Sequence, residues 1–126
     1  MASHDIQTLL FVECGTGMDT HGQDATKAAV RAVKDAIGFN SIPSARSVIP
    51  GGPEAMRVHV RLGVPEKYLA DIDADLVLST LPYGVKTLEV VPGGLVTRSG
   101  IALEAVGDRD GCDDMIMVCA AVEVGY

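Results

Sequence analysis

The sequence has few aromatic residues and few positive charges. Phe, Tyr and Trp make up 4% of the 126 residues, and Trp is absent. Proteins that bind single-stranded nucleic acid stack bases on aromatic side chains, so no such platform is expected. Lys and Arg number 10 against 17 Asp and Glu, which gives a formal net charge of −7. Phosphate groups and anionic membranes require basic surfaces, so we expect neither nucleic acid nor a membrane as a partner.

The sequence also lacks long hydrophobic runs. No apolar run approaches the roughly 20 residues of a membrane-spanning helix. The first residues do not combine a basic start with an apolar stretch, as a signal peptide would. The cysteines, Cys14, Cys112 and Cys119, are odd in number and lack the spacing of a metal knuckle. These features predict a cytoplasmic protein with reduced thiols.

The hydrophobic content and the length of the chain are sufficient for one folded domain. Hydrophobic residues make up 48% of the chain, which excludes a disordered protein. The length falls within the usual range of a domain, about 100–150 residues. We therefore expect a single domain over residues 1–126, with an aliphatic core that needs no disulfide.

Hydrophobic patterning predicts the element order β-α-β-α-β-β-β. Residues 7–14 and 115–124 are apolar on both faces, which is typical of buried strands. Residues 24–37 carry an alanine-rich stripe at helical spacing, with Asp24 as the N-cap. The other predicted elements are a loop at 39–55, a strand at 56–62, a short helix at 71–81, a strand at 86–91, its hairpin partner at 95–98, and an acidic surface loop at 107–114.

This order predicts an α/β protein of the two-layer α+β type, with a mixed sheet and helices on one face. Two helices can cover only one face of a sheet of four or five strands. A second copy of the chain would then cover the other face or an edge of the sheet. We therefore expect a homo-oligomer, preferably a trimer or a larger ring.

Residues 15–22, with the sequence GTGMDTHG, are predicted to form a loop between the first strand and the first helix. Glycines allow the backbone to approach a ligand closely, and a helix N-terminus favours anions. The loop matches neither the Walker A pattern nor the dinucleotide fingerprint. A small anionic or polar molecule is the expected ligand. The predicted ligand-binding residues are Gly15, Gly17, Gly22, Thr26 and, after a second glycine turn, Arg98.

Asp19 and His21 are the candidate chemical groups of this loop. A carboxylate beside an imidazole fixes its tautomer and raises its basicity, which suits acid–base catalysis. Lys27 would then complete the catalytic set by binding an anionic group. Alternatively, Asp19 and His21 are two ligands of a divalent metal such as zinc. In a third interpretation both side chains only stabilise the turn.

Two other groups carry charge on predicted strands. Glu13 lies near the end of an apolar strand, where burial would raise the pKa of its carboxyl. Arg57, His59 and Arg61 share one face of a strand, and we expect Glu89 or Glu123 to neutralise them from neighbouring strands.

The pattern Gly15-x-Gly17-x-Asp19-x-His21-Gly22 resembles the GxGxDxHG signature of the "Lin" family of conserved hypothetical proteins. The resemblance extends over residues 26–32, 81–84, 90–96, 113–116 and 120–126, and so covers most of the chain. This family has no established activity, so the resemblance implies a fold relationship and no reaction.

The same Gly-x-Gly-x-Asp-x-His string looks like the start of the methylerythritol cyclodiphosphate synthases, which implies a divalent metal on Asp19 and His21. The small α/β unit is also similar to single repeats of the cyclic amide hydrolases, by analogy of architecture alone. We therefore expect a small-molecule enzyme for proton transfer or hydrolysis on a carbonyl or amide compound. The alternatives are a divalent-metal-dependent enzyme and a non-enzymatic metabolite-binding or assembly protein.

Overall fold

A computed structural model describes residues 5–38 and 41–126, which contain one five-stranded mixed sheet and three α-helices. The strands are β1 (Leu9–Asp19), β2 (Arg57–Val64), β3 (Val85–Pro92), β4 (Leu95–Arg98) and β5 (Asp114–Gly125). The helices are α1 (Ala25–Gly38), α2 (Ser44–Val48) and α3 (Ala74–Leu78), and short 3-10 segments span Pro53–Ala55, Glu66–Asp71 and Glu104–Val106. None of the described helices is long and apolar enough to cross a membrane.

The sheet is built around β5, which pairs with three other strands. The main order is β1-β5-β2-β3, and β4 also pairs with β5. The β2–β3 pair is parallel, and the other pairs are antiparallel. The mixed sheet and the two-layer α+β class predicted from the sequence are confirmed, and so is the central position of the last strand.

Helix α1 lies on the sheet through its alanine stripe. Ala28, Ala29 and Ala32 are fully buried, and they pack in one core cluster with β2 and β5. Asp24 caps the helix, because its Oδ1 accepts the Lys27 backbone N–H at 3.0 Å. The helix and its cap agree with the sequence prediction.

The predicted loop at residues 15–22 is wrong over residues 15–19, because β1 continues to Asp19. Gly15 and Gly17 are strand residues that face the α1 backbone. A Cβ on Gly15 would lie 2.6 Å from the Ala32 carbonyl oxygen, and a Cβ on Gly17 would overlap the backbone of α1. The two glycines therefore let a helix pack directly on a strand, and only residues 20–24 form the turn.

Two further expectations need correction. β4 is not a hairpin partner of β3, because the chain crosses the end of β2 and pairs Leu95 with Met117 of β5. The crossing is tight: a Cβ on Gly93 would lie 3.0 Å from the Gly63 Cα. The described part of the predicted loop at 39–55 also contains α2 and a 3-10 turn; residues 39 and 40 lie outside the described ranges.

The two faces of the sheet differ in what covers them. Val58, Val60 and Leu62 of β2 point into the core beneath the helices. The opposite face, called the open face below, is formed by the alternate residues of each strand. It includes apolar side chains that are about half exposed, such as Met18 at 44% and Leu95 at 53%.

Candidate functional site

The turn between β1 and α1 positions the residues singled out in the sequence. Gly22 has φ +107° and Gln23 has φ +49°, so both are left-handed. This turn reverses the chain and leads directly into Asp24, whose backbone N–H donates to Asp19 Oδ2 at 2.9 Å. Asp19 therefore fixes the chain at the start of the helix.

Asp19 is almost fully buried, at 3% exposure. Besides the Asp24 N–H, its carboxylate faces Arg31 of α1, with Oδ1 3.7 Å from Nη1. The same Arg31 Nη1 donates to the Met18 carbonyl at 2.6 Å. The polar partners of Asp19 are thus a backbone amide and an arginine, and the structure does not pair it with His21.

His21 instead pairs with Asp108, which lies 87 positions further along the chain. The distance from His21 Nδ1 to Asp108 Oδ2 is 2.6 Å. The Asp108 side chain is inaccessible to solvent, whereas the His21 side chain is 22% exposed. A buried carboxylate behind a partly exposed imidazole is the arrangement of an acid–base dyad.

Besides His21, three hydrogen-bond donors contact the Asp108 carboxylate. Its Oδ2 accepts the Leu103 backbone N–H at 2.7 Å, and its Oδ1 accepts the Gly22 N–H at 2.7 Å and Gln23 Nε2 at 2.9 Å. The hydrogen bond from Leu103, followed by those from Gly22, His21 and Gln23, holds the pKa of Asp108 well below its ordinary value, against the opposing effect of burial. An ionised Asp108 only accepts hydrogen bonds, so His21 Nδ1 carries the proton that it shares.

Gln23 connects the turn to the segment that leads into β5. It is 1% exposed, its Nε2 also donates to the Asp114 carbonyl at 3.1 Å, and its Oε1 accepts the Arg109 N–H at 2.9 Å. Hydrogen bonds to residues 108, 109 and 114 therefore hold the side chain of Gln23, whose backbone is strained.

A second carboxylate cluster lies beside this one. Asp114 Oδ2 accepts Lys67 Nζ at 2.8 Å and the Tyr68 hydroxyl at 2.6 Å. The hydrogen bonds from Lys67 and Tyr68 lower the pKa of Asp114, and burial together with this hydrogen bond raises the pKa of Tyr68. The cluster anchors the start of β5 close to the segment that holds His21.

Lys27 and Thr26 have different environments. Thr26 is buried, and its hydroxyl donates to the Asp71 carbonyl and accepts the Asp73 N–H, both at 2.9 Å. Lys27 is exposed and lines a groove of about 730 Å³ with Arg31 and Lys34. Asp24 and Asp73 also line the groove, so its charged side chains are three basic and two acidic.

The remaining predicted residues have local partners. Arg98 is exposed, and its Nε lies 3.1 Å from Asp113 Oδ2. Gly22 donates its N–H to Asp108, and Gly15 and Gly17 face α1 rather than a ligand space. In residues 5–38 and 41–126 no group of three or more His, Cys, Asp or Glu side chains is placed to hold a metal ion.

Two members of the charged stripe on β2, His59 and Arg61, lie beside Glu89 or Glu123 as predicted, whereas Arg57 pairs with Asp5 at 4.0 Å. His59 is fully buried, with Nδ1 2.7 Å from the Thr87 hydroxyl and Nε2 3.4 Å from Glu89. Arg61 lies 3.5 Å from Glu89 and 2.9 Å from Glu123. This network occupies the middle of the open face.

The sequence prediction missed the importance of Asp108 and Gln23. Residues 107–114 were expected to be an acidic surface loop, but Asp108 is buried, at 5% exposure. An Asp within an acidic run ordinarily indicates a solvated loop, so local composition gives no signal for its burial. The only available hint was chemical: a carboxylate commonly orients an imidazole through one of its ring nitrogens.

Comparison with known proteins agrees with the sequence resemblance. The family described as "Conserved hypothetical protein (Lin0512_fam)" matches residues 9–124. The chain belongs to this family.

A solved structure of an FtsZ-like protein of unknown function from Nostoc punctiforme is similar to this chain. It has 38% sequence identity and a TM-score of 0.83, and the match covers 93% of each chain. A search of curated proteins gives no match. Membership in the Lin0512 family therefore agrees with the fold and assigns no reaction.

Proposed function

We propose that this Lin0512 protein is a small-molecule enzyme in which His21 transfers a proton and Asp108 holds its imidazole. The observation that carries the proposal is the 2.6 Å contact between His21 Nδ1 and a fully buried Asp108 carboxylate. The substrate class is a small carbonyl or amide compound, and the reaction is proton transfer or hydrolysis.

The chemistry follows from the protonation of the pair. Asp108 accepts the Nδ1 proton, so the lone pair of a neutral His21 lies on Nε2. Nε2 has no hydrogen-bond partner among the described residues, and the side chain is partly exposed. When Nε2 takes a proton from substrate or water, the adjacent carboxylate stabilises the imidazolium.

Asp19 has a positioning role in this proposal. Its carboxylate fixes the Asp24 N–H at the start of α1, and this determines where the His21 turn leaves the strand. We assign Lys27 to an anionic group of the substrate, because it is exposed in a groove that it shares with Arg31 and Lys34, and with the acidic Asp24 and Asp73.

One observation also favours a metal-dependent variant of this proposal. A histidine that binds a metal through one ring nitrogen commonly donates the other N–H to a carboxylate, as His21 does to Asp108. Asp19 would be the second ligand in the interpretation of the sequence. A zinc site on these residues would need further ligands from a second copy or from the substrate.

Proton abstraction can be tested directly. Wild-type protein is incubated in D₂O with a panel of small ketones, keto acids and cyclic amides, and NMR follows deuterium entry next to the carbonyl and ring opening. His21→Asn is the matched variant, because the amide nitrogen of Asn can replace Nδ1–H towards Asp108 while Nε2 is lost. We expect turnover of at least one compound to fall about 10²–10⁴-fold in this variant.

Equal turnover in wild type and His21→Asn contradicts the proposal, and so does the absence of turnover over the whole panel. Turnover that requires added Zn²⁺, together with about one bound ion per chain by elemental analysis, selects the metal-dependent variant. A folded protein that neither turns over nor binds these compounds indicates the non-enzymatic assembly role.

We also propose that the partner covering the open face is a second copy of this chain, in a trimer or larger ring. Apolar side chains of this face, including Val12 at 48% and Met18 at 44%, are about half exposed. Arg61 is already neutralised by Glu89 and Glu123, so its charge does not oppose contact with another copy of the chain.

A further inference from the structure

A cavity of about 190 Å³ lies on the helix side of the sheet, away from the His21 turn. Its floor is formed by β1, β2 and β5, and its walls include the last turn of α1, α2 and the segment after α3. The apolar lining includes Phe11, Ile37, Val58, Leu81 and Val122. By comparison, an apolar cavity of about 150 Å³ accommodates benzene.

The cavity lies where α1 ends and α2 begins to cover the sheet. Strand β1 alternates, so Glu13 faces the same side as Gly15 and Gly17, which lie directly beneath α1. Helix α1 ends at Gly38, and Ala45 of α2 continues the wall. Glu13 therefore lies at the gap between the two helices.

Glu13 is the polar feature of this cavity. It alone carries a charge among the described residues that line the space. Its Oε2 atom is buried, and none of those residues gives it a hydrogen bond. Burial raises the pKa of this carboxyl, and a buried acceptor without a donor is unfavourable for the folded protein.

We infer that this cavity binds a small primary ammonium compound, whose hydrocarbon part is about the size of a benzene ring and whose ammonium group binds the Glu13 carboxylate. The ammonium supplies the missing donor as a charge-assisted hydrogen bond. The apolar lining accepts the hydrocarbon. The net charge of −7 attracts a cation towards the protein.

The binding site is distinct from the proposed acid–base dyad. Glu13 and Asp19 are six residues apart on one strand, which corresponds to about 20 Å. Glu13 also shares none of the contacts that hold His21 and Asp108. Loss of either site can therefore be measured while the other is retained.

The test titrates the full chain with benzylamine and with benzyl alcohol, its neutral counterpart of similar shape, and follows two-dimensional NMR shifts at Phe11, Val58 and Val122. We expect benzylamine to bind at least tenfold more tightly. Glu13→Gln should weaken benzylamine at least tenfold and change benzyl alcohol less than threefold. Glu66→Gln removes the same charge from an exposed position and should change neither affinity.

Two further variants complete the design. Ala45→Phe should fill the cavity and abolish binding of both probes, with the melting temperature showing that the protein remains folded. His21→Asn should leave benzylamine affinity unchanged, which separates this site from the proposed enzyme. The inference is overturned if neither probe binds, if benzyl alcohol binds as tightly as benzylamine, or if Glu13→Gln retains wild-type affinity.

Discussion

His21 Nδ1 and Asp108 Oδ2 are 2.6 Å apart, although 87 positions separate the two residues in the chain. The contact joins the turn after β1 to the segment before β5. Asp108 also accepts the backbone N–H groups of Gly22 and Leu103. The Asp108 side chain thus links two segments that are far apart in the sequence.

The stability of this link should depend more on Asp108 than on His21. Asp108→Asn places an amide against buried N–H donors, which leaves at least one of them unsatisfied. We expect its melting temperature to fall by roughly 5–10 °C. His21→Asn removes one part-exposed partner and should cost less than about 3 °C. Calorimetry on both variants checks this order, and a larger loss in His21→Asn would contradict it.

Acid should weaken the same link. The pKa of Asp108 is lowered on folding from its ordinary value of 3.8. Its contribution to stability is therefore complete above about pH 4 and is lost as the pH falls further. The melting-temperature difference between wild type and Asp108→Asn should shrink between pH 4 and pH 2. A difference that stays constant over this range would show that the charge of Asp108 is not responsible.

Gly17 should tolerate no side chain. A Cβ there would overlap the backbone of α1 at Ala28 and Ala32, so Gly17→Ala must push the helix off the sheet. We expect a loss of about 3 kcal/mol or more in the free energy of unfolding by urea titration. Gly38→Ala is the control, because nothing lies within 4 Å of its Cβ position, and it should change stability by less than about 1 kcal/mol.

Glu13→Gln should stabilise the unliganded protein at neutral pH. Burial raises the folded-state pKa of Glu13 above its ordinary value of 4.5. Ionisation therefore favours the unfolded chain, and the resulting penalty develops as the pH rises through 4.5. The variant should melt about 2 °C or more above wild type at pH 7 and at the same temperature near pH 3.5. A lower melting temperature at pH 7 would mean that the carboxylate makes a stabilising contact.

The proposed oligomer can be examined by charge substitution on the open face. Met18 and Leu95 lie on either side of Met117 in the strand register. Met18→Lys and Leu95→Lys should each shift the mass measured by light scattering towards the monomer. Leu76→Lys introduces the same charge at an exposed position of α3 and should leave the mass unchanged. A wild-type chain that is monomeric at all concentrations contradicts the proposal.

The sequence predicts those parts of the fold that depend on local periodicity. The alanine stripe of α1, the alternation in β2 and the continuous apolar run in β5 each produce the expected element. The β4 pairing was missed, because the hairpin rule favours adjacent strands, whereas Gly63 and Gly93 permit a crossing past the end of β2. Backbone proximity of this kind has no periodic signal.

The sequence predicts the motif residues of the candidate site but not the residue that pairs with them. The motif residues His21 and Gly22 lie at the centre of the observed cluster, but their partner Asp108 comes from a segment with the composition of a surface loop. Gly15 and Gly17 of the motif allow α1 to pack on β1, whereas the sequence pattern predicted that they form a ligand-binding loop. A strand covered by a helix and a loop closing on a ligand both select glycine, and the sequence does not distinguish them.

The position of β1 has a consequence for how the chain folds. This edge strand pairs with β5, from Leu9 opposite Gly125 to Asp19 opposite Ile116. Strand β1 can therefore pair only after β5 has been synthesised, and more than a hundred residues separate Leu9 from Gly125. Such high contact order predicts slow folding.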